Sequence, residues 1–599
     1  MKSTRWRDLG GLFCLSLIVR LSVAALVPRP GYMDVAYYAA GAVRLAQGGG
    51  LHEPFLWNYL DDPVGLPHPG FLYWAPLPAL LAAPFARLFP GSFFALQFPF
   101  VLLSALLPLV AYSVAWETTR RRRAAWIAGL LTLFSGFFFP YWTLPETFAP
   151  CALLGSLALW LAGYKGQDAG CRMQDTQSKR KVIGLLVSLL VGLLVGLGHL
   201  TRADGILLLP VVALAPLLSL PSPGTRHTTR NAQHAPRSTH HATRTTHYTP
   251  RLFICHWFIV HCSLFIVHCS LFILGYLLVM APWFLRNLST VGALLSSSGV
   301  KTLWLRTYDD LFCYSCDLSW RSYLAWGWSN ILRSKLWAAG VNLERFLAED
   351  CLVFLLPFVL IGFYRLRRHP PFLLSFIYLL IIYSVHSLAF TFPGPRGGFF
   401  HASAPALPFL FTAGVEGVEA AVGWAARRRR WNLQQARLVF GMAPAVLAVF
   451  LSIYAAVQTL PAWHHANVVY GDVGRWLAQE GTAGGTVVMV ANPPAFWYHT
   501  GYRAVVVPNG DVEIVLALAD RYGVQYVLLD RNRPAPLAEL YPNGTLNPRL
   551  RRVAVWGEGE ARVVLYKVEP ASSSADRRAA PLCSLGCAPV AYLAHRVVY

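Results

Sequence analysis

Residues 95–123 read ALQFPFVLLSALLPLVAYSVAWETTRRRR, an apolar run followed at once by four arginines. A helix rises 1.5 Å per residue, so about 20 apolar residues cross a hydrocarbon core of about 30 Å. The run at 95–116 meets that length. Arg120 to Arg123 then mark the end that stays in the cytoplasm, because short loops on that side retain Lys and Arg.

The same alternation continues in both directions. The 599 residues are 55% hydrophobic and only 13% charged, with mean hydropathy +0.44. Soluble domains carry about 25% charged residues, so this composition places most of the chain in a bilayer. Apolar runs near 10–28, 95–116, 125–141, 147–164, 183–199, 205–220, 255–283, 351–364, 372–390, 402–422 and 437–458 predict about 11 transmembrane helices. With the N-terminus in the cytoplasm, five basic loops fall inside: Arg120 to Arg123, Lys165 to Lys181, 221–251, Arg365 to Arg368 and Arg427 to Arg430. A net charge of +22 is therefore a topological signal and implies no nucleic acid.

Two runs need separate treatment. Residues 10–27 follow Lys2, Arg5 and Arg7 as a signal peptide would, but no small-residue cleavage site follows, so a retained helix is expected. FLYWAPLPALLAAPFARLFP (71–90) is long enough to span, yet spanning would move Arg120 to Arg123 outside. It also holds Pro76, Pro78 and Pro84, each lacking a backbone donor, and reads as a juxtamembrane or re-entrant helix.

Several features read as structural. Most of the eleven cysteines lie in apolar runs and behave as small buried residues; Cys313/Cys316 and Cys583/Cys587 are close pairs without the second pair that zinc would want. The His-, Thr- and Arg-rich tract at 223–250 lacks fixed ligand spacing and reads as part of a cytoplasmic linker, 221–251. FIVHCSL occurs twice in tandem (258–264 and 265–271), and a local duplication within a helix explains His261, His268, Cys262 and Cys269 better than a metal site.

The parity gathers ionisable residues on the outside. The first outside loop, 29–94, holds Asp34, Asp61, Asp62 and His68. Later outside segments bring Glu146 in YWTLPETFAP, Arg202 and Asp204 in HLTRADG, and Arg286 in PWFLRN. A loop running to about 350 adds Lys301, Arg306, Asp309 and Asp310, and FPGPRGGFFHASAP adds Arg396 and His401. Ionisable groups at helix ends in a membrane protein tend to face a cavity and mark function. Beyond 458, GTVVMVA, RAVVVP and VQYVLLD alternate with helical patterns, which predicts a small extracytoplasmic α/β domain at 459–569 with a largely parallel sheet. It has no G-x-G-x-x-G, so no nucleotide is assigned to it. Residues 570–599 have the composition of a poorly ordered tail.

A positioned carboxylate beside several cations suits transfer from an anionic leaving group to a hydroxyl. The carboxylate takes the acceptor's proton, and Arg or Lys neutralises charge growing on a leaving phosphate. Each candidate also has a structural reading. Asp34 could cap a helix over Val35 to Gln47, and Glu146 could cap the fourth span. Arg202 and Asp204 could pair with each other, Arg286 could reach to headgroups, and Asp309 and Asp310 read as solvated.

PGYMDVAYYAAGAVRLAQGGG (30–50), PHPGFLYWAPLPALLAAPFARLF, LPETFAP, GLGHLTRADGILLLP and MAPWFLRN follow one another in an order that resembles the GT-C superfamily of polyprenyl-phosphate-sugar-dependent glycosyltransferases. That superfamily includes protein O-mannosyltransferases and the lipid A aminoarabinose transferase. The resemblance covers about 30–460 and implies a glycosyltransferase module at 1–458, with the α/β domain similar to that of some bacterial members. It implies Asp34 as base or acceptor-holding residue and Glu146 as supporting acid. Arg202, Asp204, Arg286, Arg396, His401, Asp61, Asp62 and Tyr37 are the expected substrate-binding residues. Many members carry two acids where Val35 follows Asp34 here, so the second acid falls to Glu146, Asp61 or Asp62. No metal ligand is assigned and no cofactor is required; with a single acid in that motif, a divalent metal is not indicated. The expected activity is inverting transfer of a sugar from a polyprenyl-phosphate carrier to a lipid, glycan or protein acceptor, on the outer face of the inner (plasma) membrane. A transporter or lipid flippase would call for inverted repeats and mid-membrane charges, which the sequence does not show. A non-catalytic envelope-assembly protein would not need acids and cations on one face.

Overall fold

The structure is a computed structural model, and it describes residues 2–164, 177–218, 250–538, 540, 547–559 and 562–570. The linker at 221–251 lies, but for its last two residues, outside the described residues. So do the side chains of His261 and Cys262, the Cys583/Cys587 pair, and the tail after 570. The duplicated heptad falls within one helix, Pro250–Val291, where His268 Nδ1 lies 2.8 Å from Ser188 Oγ.

Every predicted apolar run contains a helix. Among the described residues, seven are long and apolar enough to cross a membrane: Thr4–Ala25, Phe93–Thr119, Val182–Thr201, Phe265–Val291, Pro370–Ala389, Gly394–Arg429 and Leu433–Gln479. The expected span at 125–141 is a bent pair, Arg122–Leu133 and Gly136–Thr143, meeting at 65°. The runs at 147–164, 205–220 and 351–364 give shorter helices, Phe148–Tyr164, Ala203–Ala213 and Leu356–Leu366. The proline-bearing stretch at 71–90 forms only the twelve-residue Leu77–Leu88, too short to cross.

Among the described residues, contacts at the helix ends agree with the alternation. At one end, Asp8 on the first helix meets Arg122 at 2.6 Å, and Arg5 meets Glu117 at 3.3 Å. There too, Glu416 pairs with Arg121 and with Arg365 (3.0 Å), and Glu419 with Arg121, Arg123 and Arg437. At the other end the chain turns over at Tyr32, Glu146, Arg202, His386 and Trp463, which share one cavity or touch one another. Close helix packing depends on glycine. A Cβ on Gly362 would sit 1.8 Å from the Ala413 carbonyl oxygen, and one on Gly417 would sit 1.8 Å from that of Phe358. The backbones of Leu356–Leu366 and Leu407–Arg429 can approach that far only without side chains.

At the cavity end sits a six-stranded sheet built from β2 (Phe55–Leu56), β4 (Val487–Val490), β5 (Arg503–Val506), β6 (Val524–Leu529), β7 (Leu550–Trp556) and β8 (Val563–Val568). The order is β2-β5-β4-β6-β8-β7, parallel from β2 to β6 and antiparallel across β6-β8-β7. The three strands expected from sequence are β4, β5 and β6. The β7–β8 hairpin makes the sheet mixed. Its edge strand β2 comes from the first outside loop, whose β1 (His52–Glu53) and β3 (His68–Pro69) pair antiparallel beside it. Loop 29–94 and the α/β domain thus form one body.

Candidate active site

Asp34 lies in the first turn of the helix Met33–Ala46. Tyr32 occupies the N-cap position there, so the acid does not cap this helix. Glu146 follows the bent pair, where Pro145 and a 3₁₀ segment end one helix before Phe148 begins the next. His401 sits one turn into the helix that opens after PGPRGG, where Gly397 takes φ +110°, a value that favours glycine. These three elements bring the ligating atoms of Asp34, Glu146 and His401 within 4.8 Å of one another.

The bonding around them is specific. The Tyr32 hydroxyl donates to Glu146 Oε1, whereas Glu146 Oε2 is buried with no hydrogen-bond partner. His401 stacks on Phe148 at 3.7 Å, and its Nδ1 lies 2.8 Å from the Thr147 hydroxyl. Among the described residues no other side chain hydrogen-bonds to Asp34. Burial pushes its carboxyl up to about 6, opposed by the nearby Arg202 guanidinium. Burial, and the neighbouring charge of Asp34, push Glu146 well above the usual carboxylate range. Two carboxyls this close share protons, so one ionises at the expense of the other.

The cation nearby is already engaged. Arg202 holds Asp204 in a fork, Nε to Oδ1 at 3.0 Å and Nη2 to Oδ2 at 2.9 Å, and His386 Nε2 reaches the same Oδ2 at 3.2 Å. Arg396 lies over the ring of Tyr308, 4.9 Å from its centre. Asp34, Glu146's partner Tyr32, Arg202, Asp204, His401 and Arg396 all belong to one cavity of about 3980 Å³, roofed by the α/β domain.

The other sequence candidates are held elsewhere. The Tyr37 hydroxyl donates to buried Glu53 and accepts from Phe71 N–H at 3.0 Å. Arg286 donates to the carbonyls of Leu51 (3.2 Å) and Gly70 (2.8 Å), tying down the first loop. Asp61 accepts from Ser298 N–H (3.1 Å) and its hydroxyl (2.7 Å), and Asp62 pairs with Arg521 at 2.8 Å. These four support the walls and do not line the cavity. Sequence reasoning missed Tyr32, Thr147 and His386. The signal for His386 was a lone histidine in the otherwise apolar run 372–390. Tyr32 stood two residues before Asp34 in the quoted motif.

No protein-family model and no curated protein sequence matches the chain. Solved structures do match its fold. ArnT from Cupriavidus metallidurans, bound to undecaprenyl phosphate, superposes with TM-score 0.54 at 14% identity, over 93% of this chain and 97% of that one. The archaeal oligosaccharyltransferase AglB from Archaeoglobus fulgidus, in complex with an inhibitory peptide and a dolichol-phosphate, gives TM-score 0.50 at 13% identity, over 96% and 75%. The Archaeoglobus enzyme in complex with Zn and sulfate gives 0.50 at 14% identity, over 89% and 72%. The chain is a multi-pass membrane protein with the GT-C fold expected from its motif order.

Proposed function

We propose that this chain is a membrane-embedded inverting glycosyltransferase that moves a sugar from a polyprenyl-phosphate carrier to a hydroxyl acceptor on the extracytoplasmic face. The observation that carries the reading is Asp34: a carboxylate with no partner of its own, beside a second acid and a forked arginine, in a large cavity at the membrane edge. The acceptor oxygen attacks the anomeric carbon, the bond from that carbon to the phosphate oxygen breaks, and Asp34 takes the acceptor's proton. The polyprenyl phosphate leaves as an anion, which Arg202 and Arg396 are placed to neutralise. A carboxyl near 6 is ionised at neutral pH yet basic enough to accept a proton.

Orientation is supported by the arginine clusters at the far end and by the Cys313–Cys316 disulfide at the cavity end, since such bonds persist in oxidising compartments. Asp34, Glu146 and His401 also fit a divalent cation, Glu146 Oε2 being a buried carboxylate oxygen with no hydrogen-bond partner. Such an ion would neutralise phosphate charge when bound, and these three residues would hold it. The test is transfer of label from a panel of polyprenyl-phosphate sugars by the purified chain, with and without chelator. Turnover with at least one donor is expected. No turnover with any donor would favour a transporter or an assembly protein.

A further inference from the structure

The cavity is about 3980 Å³, several times the roughly 300–1,000 Å³ of a single small-ligand site, so Asp34 and its neighbours account for only part of it. The α/β domain supplies the rest of the wall in a particular way. All three central strands turn their carboxyl ends to the cavity: β4 through Asn492, β5 through Asn509 and Asp511, β6 through Asp530 and Arg531.

The connections change face there. Val488 and Val490 of β4 pack with Tyr470, Val473 and Phe496 on one face, whereas Val487 and Met489 pack with Val515 and Leu518 on the other. The segment after β4 continues into Pro493–Thr500 on the first face. The segment after neighbouring β6 continues to Leu537 on the second. Loops leaving adjacent strands toward opposite faces open a crevice at the carboxyl edge, the usual ligand position in open α/β sheets. Here it lies between Asn492 and Asp530.

Its chemistry selects the ligand. Asp530 and Asp511 offset Arg531 and Arg533, so the wall has no net preference for an anion such as phosphate. Amides, carboxylates and guanidinium groups supply donors and acceptors together, and Trp556 at the rim supplies a flat apolar face. That mixture matches a neutral, hydroxyl-rich ring. We propose that the crevice between Asn492 and Asp530–Arg531 binds a saccharide of the acceptor, a site separate from the one holding the donor phosphate. The inference rests on the glycosyltransferase reading above.

The full chain in lipid nanodiscs is titrated with a panel of methyl hexopyranosides and hexose disaccharides, followed by saturation-transfer NMR. Undecaprenyl phosphate is titrated in parallel. Asp530→Asn keeps the oxygen that accepts from Asn532 N–H at 2.7 Å, so the loop is preserved while the charge goes; Arg531→Ala alters an exposed side chain. Saturable binding of at least one saccharide is expected, weakened about tenfold or more in each variant, since bonds to charged groups contribute that much. Undecaprenyl phosphate affinity should match wild type. No saccharide binding, or binding untouched by both variants, overturns the proposal. A parallel fall in undecaprenyl phosphate affinity assigns the crevice to the donor and overturns it too. Failure of wild type to bind undecaprenyl phosphate, with saccharide binding intact, would count against the glycosyltransferase reading and not against the crevice.

Discussion

Two groups of acids, at opposite ends of the helical bundle, are treated in opposite ways. At one end Asp8, Glu117, Glu416 and Glu419 each meet at least one arginine, and Glu419 meets three. At the other, Asp34 and Glu146 crowd together, and Arg202, which forks Asp204, forms no ion pair with either. Buried acids with dedicated cations hold helices together. Buried acids left without them cost stability and persist where the charge has work to do on a ligand. The difference separates scaffold from site more sharply than the presence of charge does.

That contrast can be broken at four points. Arg202→Ala should have the largest effect, lowering transfer at least a hundred-fold, because it removes a cation from the donor site and leaves Asp204 with only His386. Steady-state kinetics would show it, with Arg202→Lys losing less. Glu146→Gln should cost roughly tenfold, the acid being one step from the reaction. The pH limb of kcat should also move, since Glu146 no longer competes with Asp34 for a proton. In wild type, activity should fall as pH drops through about 6, where Asp34 becomes protonated and cannot accept a proton. Glu419→Gln, at the other end, should leave transfer per folded molecule unchanged. It should cost about 3 kcal/mol of stability, read as a drop in Tm of several degrees, because three arginines lose a buried partner.

The smallest effect has the opposite sign. Asp34→Asn should raise Tm by a few degrees at pH 8. The folded chain holds this carboxyl near 6, above the ordinary 3.8, so ionisation costs stability above about pH 6 and the cost fades as pH falls toward 4. The gain in Tm should shrink along the same interval. A variant less stable than wild type at pH 8 would place Asp34 with the paired acids of the far end.

Much of this was legible in the sequence because topology obeys simple counting. Length of apolar run and position of arginines set the alternation, and the alternation puts Asp34, Glu146, Arg202, Asp204, Arg396 and His401 on one face. What counting could not supply was pairing. Asp61, Asp62, Tyr37 and Arg286 stand on that same face, yet Ser298, Arg521, Glu53 and two carbonyls claim them, and such partners come from distant segments. Tyr32 and His386 were missed for the converse reason: single polar side chains in apolar surroundings carry no periodic signal. The edge strand β2 pairs Phe55 with Ala504 through a two-residue strand, too short to show alternation and non-local in its partner. The run at 147–164 is a helix over Phe148–Tyr164, as expected, whereas at 205–220 and 351–364 the described helices Ala203–Ala213 and Leu356–Leu366 are shorter than the apolar runs.

The most direct test of the uncompensated acid as base is single-turnover transfer at pH 8 from a labelled polyprenyl-phosphate sugar, wild type against Asp34→Asn. Loss of a general base predicts a rate at least a hundred-fold lower with donor affinity within a few-fold of wild type. Equal rates in the two proteins would contradict it.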